Sequence, residues 1–135
     1  MSLIKWSSDL SVNVVEIDRQ HQALVGMINE LNDAMSDKKA TDVLGKIIDN
    51  LINYAANHFA QEERYFDQFK YPDTARHKAE HREFVKKVND FHESFKKGKL
   101  FLSVGVMNFL RDWLVNHIKG TDKKYSRFFN EHGLK

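Results

Sequence analysis

Leu51-Ile52-Asn53-Tyr54-Ala55-Ala56-Asn57-His58-Phe59-Ala60-Gln61-Glu62-Glu63-Arg64-Tyr65-Phe66 is the stretch whose reading decides the fold. Leu51 and Tyr54, with Leu44 and Ile47 before them and Phe66 after, recur at the spacing of one helix face. His58 and Glu62 stand four residues apart on that same face, one helical turn from each other. A helix that turns an imidazole and a carboxylate into its own apolar stripe must give them partners inside the protein.

The same periodicity runs outward in both directions. Ile17, Leu24, Ile28, Leu31 and Met35 share one face before it, and Phe84, Val88, Phe91 and Phe95 share one after it. A last segment places Val106, Phe109, Leu110, Trp113 and Leu114 on one side, then resumes with Tyr125, Phe128 and Phe129. Polar breaks separate the segments: Ser36 to Ala40, the turn Lys70-Tyr71-Pro72-Asp73 with Asp73 as helix N-cap, and Lys97-Gly98-Lys99. Four helices joined by short loops run antiparallel to their neighbours. The expected fold is therefore all-α, an up-down-up-down antiparallel four-helix bundle, with helices at roughly 18–36, 41–69, 73–96 and 102–130 of a single domain spanning 1–135. Residues 1–17, with Val12, Val14 and Ile17, predict an extended N-terminal arm packed on the bundle.

Composition narrows the chemistry. The chain has 135 residues, enough for one domain with a real core, and 41% of them are hydrophobic. It has no cysteine, which excludes disulfides, thiolate metal sites and iron–sulfur clusters. Its formal charge of +2 comes from interspersed acids and bases, with only short lysine clusters at Lys96-Lys97 and Lys123-Lys124, so no nucleic-acid partner is expected. Neither a signal-peptide run after Met1 nor an apolar stretch of membrane-spanning length is visible, so a cytoplasmic protein with no membrane insertion is expected.

The seven histidines carry the main signal. His21 lies inside the stripe of the first helix, His58 and Glu62 continue that of the second, His77 and His81 open that of the third, and His117 follows Trp113 by four on the last, with Asp122 five further on. Taken singly, a buried histidine is more often a hydrogen-bonded core residue than a metal ligand. Taken together, five imidazoles and two carboxylates on the inner faces of four helices would each cost several kcal/mol if buried without partners. Seven donors are too many for a tetrahedral zinc and too rich in nitrogen for calcium or magnesium. They suit a pair of first-row ions with octahedral preference, and they lack the repeated Glu-x-x-His of ferritin-like carboxylate sites. His92 and His132 fall outside the pattern and are expected at the surface. The five-residue step from His117 to Asp122 predicts a local irregularity, because five residues of α-helix turn a side chain by about 140° net. Gly120 could absorb it through a π-type widening or a break.

The full set, His21, His58-xxx-Glu62, His77-xxx-His81 and His117-xxxx-Asp122, resembles the ligand signature of the hemerythrins, and of the single-domain bacteriohemerythrins among them. Trp6 and Ile17-Asp18-Arg19-Gln20-His21 resemble their N-terminal region, so the likeness covers nearly the whole chain. The resemblance implies two non-haem irons bridged by an oxo or hydroxo group, Glu62 and Asp122. One iron takes His77, His81 and His117; the other takes His21 and His58 and keeps an open position for dioxygen. It implies reversible dioxygen binding for carriage, storage or delivery, rather than enzymatic turnover. Phe59, Trp113, Leu114 and Ile118 are expected to wall the oxygen pocket, and Tyr125 to approach the site. Expected partners are dioxygen and an oxygen-consuming enzyme, with a monomer favoured. An oxygen or redox sensor, and a protein handling nitric oxide, peroxide or iron, are the competing readings.

Overall fold

The structure, a computed structural model, describes residues 3–37, 41–97 and 104–135. A 3₁₀ turn at Ser8–Leu10 precedes α1 (Val15–Ser36), α2 (Thr41–Phe69), α3 (Thr74–Lys96) and α4 (Val104–Asn116). A π-helical turn at His117–Asp122 joins α4 to α5 (Lys123–Glu131), so α4 and α5 are two parts of one fourth helix. Among the described residues there is no strand, and the helices form a four-helix bundle. The loop residues 38–40 and 98–103, the expected start of the last helix at 102 and the side chain of Val106 lie outside what is described. No helix among the described residues is long and apolar enough to cross a membrane.

The inner faces carry the expected stripes. Ile17, Leu24, Ile28 and Leu31 of α1, Leu51 and Phe66 of α2, Phe84 and Val88 of α3, and Leu110 and Leu114 of α4 are all buried. One end of the bundle is aromatic: Phe66, Tyr125 and Phe129 are fully buried, with Phe66 5.7 Å from Phe129 and Tyr125 4.6 Å from it between ring centroids. Such offset and tilted ring pairs pack that end tightly.

The turn between α2 and α3 is built as the proline predicts, with a difference in detail. Lys70 adopts φ 56°, and the Tyr71 N–H reaches back to the Phe66 carbonyl at 2.9 Å. This is the left-handed helix stop that satisfies otherwise unpaired carbonyls. Asp73 occupies the N-cap position, but its side chain makes no capping hydrogen bond. The Thr74 hydroxyl instead donates to the Tyr71 carbonyl at 2.5 Å.

The arm packs on the bundle through Val12 and Val14, and within it a 3₁₀ turn at Ser8–Leu10 buries Leu10 as well. One other expectation is corrected. His92 is not a surface residue: it is 8% exposed, and its Nε2 lies 2.7 Å from Asp49 Oδ1 across the α2–α3 interface. Its ring falls one residue beyond the Phe91 stripe, and the carboxylate at the surface of α2 provides the counter-group that permits burial. His132 is exposed as expected, its ring Nδ1 2.8 Å from the Phe128 carbonyl.

The arm is tied to α1 at two points. Asn29 accepts from the Ile4 N–H and donates to the Ile4 carbonyl, both at 2.8 Å. Asp18, in the first turn of α1, accepts from the Val12 N–H at 2.8 Å and the Ser11 hydroxyl at 2.6 Å. An acid in a first helical turn also complements the helix dipole. Asp18→Ala leaves the Val12 N–H without its partner, and its expected cost is about 1–3 kcal/mol. Urea unfolding checks it; an unchanged midpoint would show that the arm is held by apolar packing alone.

Candidate metal centre

The chemistry sits where α1 begins, α2 ends and α3 begins, with the π turn closing the fourth side. α1 presents His21, α2 presents His58 and Glu62, α3 presents His77 and His81, and the π turn presents His117 and Asp122. All seven side chains are at most 3% exposed. They form two overlapping groups of possible metal donors: Glu62, His77, His81, His117 and Asp122 in one, His21, His58 and Glu62 in the other.

The fourth helix achieves this only by leaving α-geometry. In a regular α-helix Thr121, four residues on, would lie beneath His117, and Asp122 would point away. The π turn spanning His117–Asp122 has the i to i+5 closure that brings residues five apart onto one face. Gly120 lies within this turn but does not have the positive φ that requires glycine, and a β-carbon there would meet nothing within 4 Å. The widening is therefore not forced by glycine backbone freedom.

Distances within the cluster are short. Asp122 Oδ1 lies 2.7 Å from His77 Nε2 and 3.0 Å from His117 Nε2, while its Oδ2 lies 3.2 Å from His21 Nε2. Glu62 Oε1 lies 3.2 Å from His58 Nε2 and 3.3 Å from His81 Nε2. Both carboxylates thus face both groups. The Nε2 atoms of all five histidines, Glu62 Oε1 and both Asp122 oxygens are buried without a hydrogen-bond partner. Atoms this close that are not aligned for hydrogen bonds are aimed at common points between them. Separations of 2.7–3.3 Å are those of neighbouring ligands on ions with bonds of about 2.1 Å. A nitrogen-rich, sulfur-free set of this kind fits a pair of first-row transition ions.

Outside this ring stands a layer that sequence reasoning did not single out. His58 Nδ1 is 2.5 Å from Gln20 Oε1, His81 Nδ1 is 2.9 Å from Glu63 Oε2, and His117 Nδ1 is 3.0 Å from Glu80 Oε1. Donation of the Nδ1 proton outward leaves the Nε2 lone pair facing the cluster. Each partner is adjacent in sequence to a cluster residue, namely Gln20 to His21, Glu63 to Glu62 and Glu80 to His81, and that adjacency is the signal that could have found them. Tyr125 is fully buried, and its hydroxyl donates to Glu62 Oε2.

Of the four expected pocket residues, Phe59 stacks on His81 at 4.0 Å and 10°, and Trp113 stacks on His117 at 4.4 Å and 15°. Both therefore lie flat against rings of the larger group, although Phe59 also approaches His58 at 5.8 Å. Leu114 and Ile118 are buried in the core.

The electrostatics belong to a site that holds charge. Burial and the Asp122 carboxylate push Glu62 up, but the facing imidazoles of His58 and His81 outweigh them and hold it well below the usual carboxylate range. Burial pushes Asp122 up, and His117, His21 and His77 bring it well below. For His117 burial favours the neutral ring, yet Asp122, Glu62 and Glu80 raise it from 6.5 to about 9. Burial and the two carboxylates push the Tyr125 phenol far up, so it stays a neutral donor.

A raised folded-state value means that the His117 charge stabilises the metal-free protein fully below 6.5, and that this contribution is lost as pH rises through about 9. Metal needs the neutral ring, so binding releases the proton and tightens over the same range. The melting temperature of chelator-treated protein is expected to fall between about pH 6.5 and 9.5, and the gap between metal-loaded and chelated protein to widen. Thermal scans at several pH values check this; a gap that stays constant or is zero would contradict it.

Comparison with known proteins agrees with the geometry. Residues 12–129 match the hemerythrin HHE cation binding domain. A bacteriohemerythrin of Methylococcus capsulatus (strain ATCC 33009 / NCIMB 11132 / Bath) is 36% identical over 126 residues, covering 93% of this chain and 95% of that one. The bacteriohemerythrin of Stenotrophomonas maltophilia (strain R551-3) is 35% identical over 93% of this chain and 81% of its own length. A crystal structure of wild-type hemerythrin superposes with a TM-score of 0.87 at 36% identity, covering 93% of this chain and 96% of that one. A fold, a buried His/Glu/Asp cluster and a sequence match that spans both place this chain in the hemerythrin family.

Proposed function

We propose that the chain binds dioxygen reversibly at a pair of non-haem irons and does not turn over a substrate. The observation that carries this reading is the split of the cluster into a three-histidine group and a two-histidine group that share Glu62, with Asp122 of the larger group also 3.2 Å from His21 of the smaller. On this reading His77, His81 and His117 would hold one iron, His21 and His58 would hold the other, and Glu62 and Asp122 would serve both. The two-histidine side would have fewer protein donors, and the irons would supply there the binding position and the electrons that dioxygen needs.

The protein's own residues do the rest. Gln20, Glu63 and Glu80 fix the tautomers of three rings, so Nε2 is the donor in each. Phe59 and Trp113 hold the His81 and His117 rings in plane by stacking. Leu114 and Ile118, at 3% and 0% exposure, are apolar groups of the surrounding core that would keep bulk water away from the centre. None of these apolar groups can donate or accept a proton, which favours binding over chemistry on the bound molecule. Carriage, storage or delivery to an oxygen-consuming enzyme, by a cytoplasmic monomer, is the role in keeping with this site.

The test is an optical spectrum of the reduced protein before oxygen, under oxygen and after its removal. Reversible appearance of a visible charge-transfer band supports the reading; one-way oxidation with release of a product would replace it with an enzyme. Elemental analysis of the same sample is expected to give two irons per chain.

Leu114→Ala separates packing from protection. Such a truncation costs about 2–5 kcal/mol in a tight core, and at 3% exposure that full range is expected here. The oxygenated protein is also expected to decay to its ferric state faster than the parent. A variant that is less stable but decays at the parent rate would make Leu114 ordinary core.

A further inference from the structure

Glu80 does more than orient one ring. It projects from α3 between His77 and His81, and the same oxygen, Oε1, accepts from His117 Nδ1 at 3.0 Å and from the Thr121 hydroxyl at 2.9 Å. Both donors belong to the π turn, near its first and last residues. The turn has two competing arrangements. In α-register Thr121 lies beneath His117 and the Asp122 carboxylate swings out of the cluster. In π-register Asp122 lies beneath His117 and Thr121 is displaced to the side.

A π turn is rare and has no intrinsic advantage over the α-helix that flanks it, so something must select it. Gly120 does not, since its backbone is helical and a β-carbon there would be unobstructed. Among the described residues, the side-chain hydrogen bonds from the turn to another helix that do not pass through a cluster-facing atom are the pair to Glu80 Oε1.

We propose that Glu80 is a positioning residue that selects the π register by clamping His117 and Thr121 to one oxygen, and thereby aims Asp122 into the metal centre. The reading rests on the di-iron proposal for the purpose of the clamp, but the clamp itself is a property of the polypeptide. It implies that Thr121, whose hydroxyl bonds to Glu80 and not to a cluster residue, controls the position of Asp122.

The experiment is hydrogen exchange at the amides of residues 117–123, on protein as purified, with iron content and iron retention against a chelator measured in parallel. Thr121→Val keeps the shape and removes the hydroxyl; Thr121→Ser keeps the hydroxyl; Glu80→Ala removes the acceptor. Loss of a hydrogen bond of this kind is expected to speed exchange about tenfold in that turn alone. Iron retention is expected to fall about 10- to 100-fold, as for other groups that orient metal ligands. Thr121→Ser is expected to stay within about twofold of the parent, and Thr121→Val combined with Glu80→Ala to exchange no faster than Glu80→Ala alone, because both act through one oxygen. Parent-like exchange and iron retention in Thr121→Val would overturn the proposal, as would a loss spread evenly over all helices. If the parent chain holds no iron, the di-iron reading fails while the exchange comparison still decides the clamp.

Discussion

Everything in this protein depends on the convergence of five imidazole nitrogens and three carboxylate oxygens at one buried place with no hydrogen-bond partner for any of them. Each such atom left unmatched costs on the order of 1–3 kcal/mol, which a domain with a total stability of about 5–15 kcal/mol cannot sustain for all of them. The metal-free chain softens the conflict by charge: His117 holds a proton up to about pH 9, and the two carboxylates stay ionised opposite the rings. Cations remove the conflict altogether. Folding and metal binding are thus two sides of one equilibrium, and the bundle is a scaffold for seven side chains as much as they are part of its core.

The outer layer follows a rotation. Gln20 of α1 holds the His58 ring of α2, Glu63 of α2 holds the His81 ring of α3, and Glu80 of α3 holds the His117 ring of the π turn. Asp122 of the π turn then faces His21 of α1 at 3.2 Å and closes the circle. Each of the first three steps runs from a residue beside one cluster position to a cluster histidine of the next helix, and the closing step joins two cluster residues directly. One residue along a helix turns a side chain by about 100°, which is the angle that takes a neighbour of an inward residue toward the adjacent helix. The same local geometry therefore generates three of the four ties, and each helix is registered against the next through a histidine.

Much of this was legible in residues 51–66 and their counterparts. The period of Leu51, Tyr54, His58 and Glu62 fixes both a helix and the identity of its inner face, because burial of apolar and metal-facing groups obeys one geometric rule. The departure from α-geometry near Gly120 was legible too, since five residues cannot share an α-helical face, and the π turn resolves it. What was not legible depended on partners distant in sequence. His92 reads as a surface residue until α2 brings Asp49 to 2.7 Å. That Phe59 and Trp113 lie flat on His81 and His117 depends on how α2, α3 and α4 pack, which the spacing of either residue does not report. Val15 opens α1 ahead of the expected start, because Asp18 is needed inside the first turn to receive Ser11 and Val12. Periodicity reports a residue's face; it does not report what the neighbouring helix puts there.

The ring of ties is uneven, and the unevenness bears on where chemistry happens. His81 and His117, in the larger group, each face a carboxylate across Nδ1. His58, in the smaller group, faces only an amide oxygen, and His21 Nδ1 is buried without a partner. A carboxylate behind an imidazole makes the ring more basic and a stronger donor to a metal. The larger group therefore has more donors, two of them strengthened in this way, and it is closed off by two aromatic planes. The smaller group has fewer donors, and among the described residues no carboxylate bonds directly to the Nδ1 of either of its rings. An exogenous ligand competes best where the protein's own ligation is weakest, and under the proposed di-iron reading that is the side of His21 and His58.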